Sequence, residues 1–227
     1  MTDTIITVQG AFSAWYPAER ATVRAAVQFD GEKRDSVFAD ALQASDALRT
    51  LIEPLVERDV GPITWWSSDN VRVWSERPWN SEGKRVAPVF HSAVDFNAKF
   101  KDFDALSRWV EAAVAIEGVT LGSVTWDLTA ETRAAASTDV RSRAVTDAVA
   151  KATTFAKAIG LDTLTAIALA DPGMLGDPGA GNGGGIPGPT MRAFTAQAFD
   201  GGIAPQLALK PEEIAVASTV DARFIAS

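Results

Sequence analysis

The longest helical pattern in this chain covers residues 129–160, and it limits how the rest of the sequence can fold. Thr129 is a favoured N-cap residue, and Gly160 is of the type that ends a helix in a left-handed conformation. Between them, apolar residues recur at steps of three and four, which predicts one apolar stripe. The stripe consists of Val145, Ala148, Val149, Ala152, Phe155, Ala156 and Ile159. Because it is rich in alanine, we expect this helix to lie close against a sheet.

Alternating apolar and polar residues predict the strands of that sheet, and two shorter helical patterns interrupt them. The predicted strands cover residues 4–12, 20–30, 63–77, 85–100, 119–128, 163–170 and about 214–224. The third and fourth form a long hairpin. The shorter helices begin near Ser36 and at Asp102 or Asp104. The pattern predicts an α+β fold in which three main helices pack on a largely antiparallel sheet.

A stretch rich in glycine and proline, residues 171–189, precedes the last predicted strand. Such a composition is typical of a flexible loop. A single strand beyond the loop could not fold alone, so it must return to a sheet formed earlier. We therefore expect residues 1–227 to form one domain with a flexible loop at 171–189.

Charge and composition exclude several classes of function. The net charge of −8 and the absence of a basic run argue against nucleic acid as a partner. There is no cysteine, which excludes disulfides and thiolate metal sites. No apolar run approaches the ~20 residues of a membrane span, so we predict no membrane insertion. The first residues contain neither a basic segment nor an apolar segment of a signal peptide, which makes the cytoplasm the default compartment.

Five short motifs, in order along nearly the whole chain, resemble the SIMPL family, also called DUF541. Residues 6–10 (ITVQG) and 21–23 (ATV) are similar to its opening strands. Residues 103–106 (FDAL) are similar to the entry of its second helix, and residues 143–152 to its long helix. Residues 210–216 (KPEEIAV) resemble the entry to its last strand, although the glycine of that turn is missing.

The resemblance implies a fold and a general kind of role. Bacterial members of the family are mostly uncharacterised, are linked with stress responses, and include surface antigens and proteins that self-assemble. The animal namesake is a signalling adaptor. The resemblance carries over no catalytic residue, no cofactor and no metal ligand.

Three patterns look like active sites but lack the required context. Residues 179–184 match a dinucleotide-binding glycine pattern, yet a proline-rich segment follows them where a helix would have to start. His91 is the only histidine and has no G-x-S-x-G motif to accompany it. The acidic pairs Asp102/Asp104 and Glu212/Glu213 are typical of a helix cap and a solvated turn. We therefore predict no catalytic residue, cofactor or metal site.

The tryptophans of the hairpin are the strongest functional signal. Strand alternation predicts that Trp66, Arg72 and Trp74 share one face, opposite Val71 and Val73. Tryptophan and arginine are the residues that most often anchor protein interfaces. The predicted interface consists of Trp65, Trp66, Arg72, Trp74 and Trp79.

Two classes of function follow from this signal and from the resemblance. The first is a non-enzymatic scaffold or interaction protein that forms a homo-oligomer. The alternative is a binder of small molecules or carbohydrates, or a hydrolase, that uses the tryptophan hairpin. We favour self-association, because the sequence shows no group of acids or amides beside the rings.

Overall fold

The computed structural model describes residues 3–57, 60–78, 87–175 and 209–227. The strands are β1 (Thr4–Pro17), β2 (Arg20–Gly31), β3 (Ile63–Ser68), β4 (Arg72–Glu76), β5 (Val89–Phe100), β6 (Val119–Asp127), β7 (Leu164–Ala170) and β8 (Glu213–Ala226). The helices are α1 (Arg34–Ile52), α2 (Phe103–Val114) and α3 (Ala130–Ala158), with a short 3-10 turn at Glu53–Leu55. The predicted α+β class and its three main helices are confirmed.

The strands form two sheets, where the sequence led us to expect one. A three-stranded sheet has the order β1-β8-β7, and a larger sheet has the order β3-β5-β2-β6, with β4 also paired to β5. The β2–β5, β2–β6, β3–β5, β4–β5 and β7–β8 pairs are antiparallel. The long hairpin is therefore present, and its first arm is divided into β3 and β4.

The chain forms two compact units. The terminal unit comprises Met1–Tyr16, Thr129–Gly202 and Ile214–Ser227. The central unit comprises Pro17–Leu128 and Ile203–Glu213. The single domain expected from the sequence stays a prediction.

The central unit is built on the strict alternation of β2 and β5. Alternate residues of β2 from Ala21 to Val27 are buried, as are alternate residues of β5 from Val94 to Phe100. They pack with Leu48 of α1 and with residues of α2 in one core cluster. Both helices therefore cover the same face of the five-stranded sheet.

One hydrogen bond at the first turn of α1 and one at the first turn of α2 help to hold these helices in place. Ser92 of β5 is buried, and its hydroxyl donates to the carbonyl of Val37 in α1 at 3.1 Å. Asp102 caps α2 by accepting from the backbone N–H of Ala105 at 2.9 Å. Of the two acids that the sequence offered as caps, Asp102 is the one used.

The terminal unit is organised around α3, whose buried stripe differs from the predicted one. The buried residues recur at steps of exactly four. They are Ala136, Val140, Ala144, Ala148, Ala152 and Ala156. Val149, Phe155 and Ile159 of the predicted stripe are exposed instead. Because four residues turn by about 400°, the buried stripe advances by about 40° at each step. A stripe that winds in this way can follow twisted strands.

The small residues of the stripe allow α3 to approach the backbone of β1. A Cβ atom added at Gly10 would lie 2.0 Å from the carbonyl oxygen of Ala144 and 2.7 Å from the backbone nitrogen of Ala148. The predicted close packing of this helix on a sheet is confirmed.

The Gly/Pro-rich stretch lies mostly beyond what the structure describes. Residues 171–175 form a turn after β7, and residues 176–189, including the glycine pattern at 179–184, lie outside the described residues. The flexibility of this loop stays a prediction. None of the helices in the described ranges is both long and apolar enough to cross a bilayer.

Candidate functional site: the outer face of the five-stranded sheet

The five-stranded sheet has a second face, on the side away from α1 and α2, which we call the outer face. The side chains of β5 that alternate with its buried core residues lie there, among them His91, Asp95 and Lys99. The neighbouring β2 contributes Arg24 and Gln28 to the same face, since they pair with residues of this set. Antiparallel sheets commonly have one face that packs on the core and one polar face that is exposed to solvent.

An irregularity between β3 and β4 decides which tryptophans reach the outer face. Ser68 pairs with Phe96 of β5, and Arg72 pairs with Ala93. Three residues of the first arm therefore lie opposite two residues of β5. One extra residue shifts the alternation, so that side chains beyond it exchange faces.

The predicted common face of Trp66, Arg72 and Trp74 is consequently wrong. Trp66 pairs with Ala98, which is buried, and its ring packs against the core. Arg72 and Trp74 lie on the outer face, where they pair with Ala93 and His91. The prediction requires unbroken alternation from 63 to 77, and the extra residue before Arg72 reverses the faces beyond it.

The two exposed indoles of the hairpin lie at opposite ends of the outer face. Trp65 pairs with Lys99 and is 50% exposed, while Trp74 pairs with His91 and is 48% exposed. Eight residues of β5 separate these partners, which is about 26 Å along the strand. Trp79, the remaining residue of the predicted interface, lies outside the described residues.

Between the indoles, two arginines share one carboxylate. The guanidinium of Arg72 lies 2.7 Å from Asp95, and that of Arg24 lies 3.4 Å from it. The Asp95 side chain is only 15% exposed, so the two arginines cover it. The middle of the outer face is therefore polar, and its carboxylate, Asp95, is already paired with Arg24 and Arg72.

At the other end of the face, Trp74 lies against His91. The ring centroids are 5.5 Å apart, and the planes are inclined by 24°. An open recess of about 440 Å³ lies beside this pair. Gln28 and Asp30 of β2 and Thr120 of β6 line it together with the two rings.

Sequence reasoning missed these polar residues of the recess. The alternation of β2 does place Gln28 and Asp30 on its polar side, but strand pairing brings them next to the hairpin. The sequence-based argument that no acid or amide accompanies the rings is therefore wrong for Trp74.

The acidic pairs of the sequence are not gathered into a metal site in the structure. Asp102 is engaged as the cap of α2, and Glu212 and Glu213 are exposed at the start of β8. Within residues 3–57, 60–78, 87–175 and 209–227, no three acidic or histidine side chains form a group that could hold a metal ion.

Comparison with protein families gives a match over nearly the whole chain. The family model described as "SIMPL: Protein of unknown function (DUF541)" matches residues 6–224. No curated protein matches the sequence.

Eight chains of solved structures match, and three of them illustrate how weak the similarity is. The first is a putative amidohydrolase/peptidase from Burkholderia cenocepacia, with 16% identity over 59% of this chain and 32% of that one, at a TM-score of 0.26. The second is an amidase of the hydantoinase/carbamoylase family from Burkholderia multivorans, with 15% identity over 54% and 28%, at a TM-score of 0.22. The third is an uncharacterized conserved protein from Listeria innocua, with 13% identity over 96% and 92%, at a TM-score of 0.20. This chain spans about a third or less of the first two structures, and TM-scores of this size do not establish a common fold.

Proposed function

Since this chain belongs to the SIMPL (DUF541) family, whose function is unknown, we propose that it is a non-enzymatic interaction protein that self-associates through the outer face of its five-stranded sheet. The observation that carries the proposal is the pair of half-exposed indoles, Trp65 and Trp74, on a face that α1 and α2 leave uncovered. A cytoplasmic setting and a link with stress responses stay predictions from the sequence and the family.

The dimensions of the outer face support an interface. Each partner in a stable complex buries about 800 Å² of its surface, which corresponds to a patch about 28 Å across. The distance between the two indoles along β5, about 26 Å, is close to this size. Indole rings bury a large area and lose little conformational freedom, so each is suited to anchor one end of the contact.

The polar centre of the face is compatible with a second copy of the chain. Asp95 is neutralised by Arg24 and Arg72 before any partner arrives, so a copy would not have to bring an unpaired carboxylate close to another. Interfaces of non-obligate complexes are about as polar as the rest of the surface and are enriched in tryptophan and arginine. Self-assembly among family members is the reason to choose a copy of this chain as the partner.

The ordinary alternative is a solvated sheet face with two isolated aromatic residues. Single exposed hydrophobic residues are common on monomers and need no explanation. The two alternatives differ in what truncation of the rings would change. Loss of a solvated ring changes nothing, whereas loss of an interface anchor weakens association by ~2 kcal/mol or more, which is about 30-fold in the dissociation constant.

Light scattering coupled to size-exclusion chromatography tests the proposal. We expect the wild-type protein to show a mass above the 24.0 kDa of one chain. Trp65→Ala should lower that mass at equal concentration, and Trp65→Ala with Trp74→Ala should lower it further, with an unchanged melting temperature. A monomeric wild type, or a fully assembled double variant, would contradict the proposal.

Trp15→Ala is the matched control. Trp15 is 65% exposed, but it belongs to the terminal unit and is not part of the outer face. Its loss should leave the mass unchanged. Equal effects of Trp15→Ala and Trp65→Ala would show that any exposed ring promotes association and would reject the outer face as the specific surface.

A further inference from the structure

The recess at the Trp74 end of the outer face has the size and the walls of a small ligand site. Its volume of about 440 Å³ lies within the ~300–1,000 Å³ of ligand pockets. It is built from four segments: β4 supplies Trp74, β5 His91, β2 Gln28 and Asp30, and β6 with its preceding turn Thr120 and Gly118. Only the folded sheet brings these residues together.

The aromatic wall is held in place before a ligand arrives. The His91 ring lies almost parallel to the Trp74 indole, at 5.5 Å between centroids, and limits how that indole can turn. About half of the Trp74 surface stays exposed. A positioned indole face loses little entropy when a flat ligand stacks on it.

Polar groups converge on the space next to this wall. Gln28 and Asp30 are two residues apart on one face of β2, about 7 Å from each other along the strand, and both are exposed. The Thr120 hydroxyl donates to the carbonyl of Ala26 at 3.3 Å, which leaves its oxygen lone pairs available as acceptors. The recess therefore offers an amide, a carboxylate and a hydroxyl acceptor.

The rim next to Thr120 requires glycine. Gly118 has a φ of +78°, and a Cβ atom there would lie 2.3 Å from Cζ of Phe29. A larger residue would displace the Phe29 ring, which packs against the core. The glycine thus keeps this side of the recess without a side chain.

The charge of the lining selects among ligand classes. Among the described residues that line the recess, Asp30 is the one carboxylate, and neither lysine nor arginine is among them. A negatively charged ligand would meet this carboxylate without a lysine or arginine of the described lining to balance it. A flat apolar wall beside amide and carboxylate groups matches a pyranose ring, which has an apolar C–H face and hydroxyls at its edge.

We infer that this recess binds one residue of a neutral saccharide, with the sugar face stacked on Trp74 and its hydroxyls hydrogen-bonded to Gln28 and Asp30. Asp30 accepts from two adjacent hydroxyls, while the amide of Gln28 both donates and accepts. Bonds to the ionised carboxylate are the stronger ones. The recess is open, so a chain of sugars could extend beyond it.

This inference and the proposed self-association both use Trp74, so the variants that separate the two are those of Gln28 and Asp30, which the proposed function does not use. Titration of the wild-type protein with cellotriose, maltotriose and tri-N-acetylchitotriose, followed by calorimetry and tryptophan fluorescence, should show saturable millimolar binding of at least one of them. Asp30→Asn and Gln28→Ala should each weaken that binding about tenfold, which corresponds to the loss of one or two hydrogen bonds. Trp74→Ala should abolish it.

Trp15→Ala serves as the matched control, since it removes an exposed indole that belongs to the terminal unit and is not part of the outer face, and it should leave the dissociation constant unchanged. Circular dichroism confirms that each variant is folded. Choline chloride is the competing probe, because an indole next to a carboxylate also suits an organic cation. Binding of choline alone, or no binding of any saccharide, would overturn the inference. Saccharide binding unaffected by Asp30→Asn and Gln28→Ala would overturn it as well.

Discussion

The two sheets of this protein are packed against their helices with opposite kinds of side chain. In the central unit, large rings such as Phe96, Phe100 and Trp109 fill the space between sheet and helices. In the terminal unit, alanines of α3 lie against the strands, and Gly10 lets two backbones approach. Removal of side-chain atoms should therefore destabilise the central unit, because it leaves a cavity. Addition of atoms should destabilise the terminal unit, because its helix and strands have no room for them.

The two units can be followed separately in one unfolding experiment. Within the described part of the chain, every tryptophan except Trp15 belongs to the central unit, so intrinsic fluorescence reports mainly on that unit. The longest helix, α3 with 29 residues, belongs to the terminal unit and contributes strongly to far-UV circular dichroism. Fluorescence therefore follows the variants of the central unit, and circular dichroism follows those of the terminal unit.

Phe100→Ala should have the largest effect on stability. Phe100 is fully buried between β2, β3 and α2, with its ring 5.6 Å from that of Trp109. Its truncation leaves a cavity and should lower the free energy of unfolding by about 3–5 kcal/mol. Urea unfolding followed by fluorescence measures the loss.

Phe155→Ala makes the same chemical change on α3 and is the control. Phe155 was part of the predicted apolar stripe but is 54% exposed. The loss should be below ~1 kcal/mol, as for most surface substitutions. If Phe155→Ala were as costly as Phe100→Ala, the contrast between the two packings would be wrong.

Gly10→Ala should have the next largest effect. The added methyl group would overlap the carbonyl oxygen of Ala144 at 2.0 Å, and backbone atoms cannot move aside as a side chain can. We expect a loss of about 1–3 kcal/mol, seen in the circular dichroism transition.

The matched control is Gly122→Ala in the central unit. A Cβ atom at Gly122 would meet the nearest neighbour, the carbonyl oxygen of Arg24, at an ordinary 3.5 Å. This substitution should change stability by much less than Gly10→Ala. A stable Gly10→Ala variant would mean that α3 is free to move away from β1.

Substitution of Asp147 should give the smallest effect on stability, and that effect should depend on pH. Asp147 lies 2.7 Å from the Lys151 ammonium and accepts from the backbone N–H of Ala11 at 2.9 Å, while Lys151 donates to the carbonyl of Gln9 at 3.0 Å. The side-chain hydrogen bond from Lys151 and then the backbone hydrogen bond from Ala11 lower the pKa of Asp147 below its ordinary value of 3.8. The pair thus occupies two backbone groups of β1, the edge strand of its sheet.

A lowered pKa stabilises the fold only while the carboxylate is ionised. Its contribution is fully present above the unfolded pKa of 3.8 and is lost as the pH falls through the lower pKa of the folded state. Asp147→Asn should therefore reduce stability at neutral pH and make its decrease below pH 3.8 shallower than in the wild type.

Asp139→Asn is the control for this comparison. Asp139 also pairs with a cation one helical turn later, Arg143 at 3.1 Å, and this contact lies within α3. Urea unfolding at acidic and neutral pH should show a smaller pH effect for Asp139→Asn. Identical pH profiles for the two variants would mean that the contact with β1 has no stabilising role.

The sequence also predicted part of the candidate site. It identified the long hairpin and the common face of Arg72 and Trp74, because both depend on strand alternation over a few residues. It placed Trp66 on the wrong face, since one extra residue in a loop reverses the alternation beyond it. It missed Gln28 and Asp30 because strand pairing, which no local pattern specifies, brings them to Trp74.

By itself, the sequence determined the α+β class, the three helices and the close packing of α3, since capping residues, helical period and alanine content act within one element. The tertiary structure alone decided that the strands divide into two sheets and that α3 buries a stripe with steps of four. It also decided that one end of the hairpin has a polar recess beside an indole. These features depend on which strands pair and in which register, and those pairings are stabilised by contacts between residues far apart in the chain.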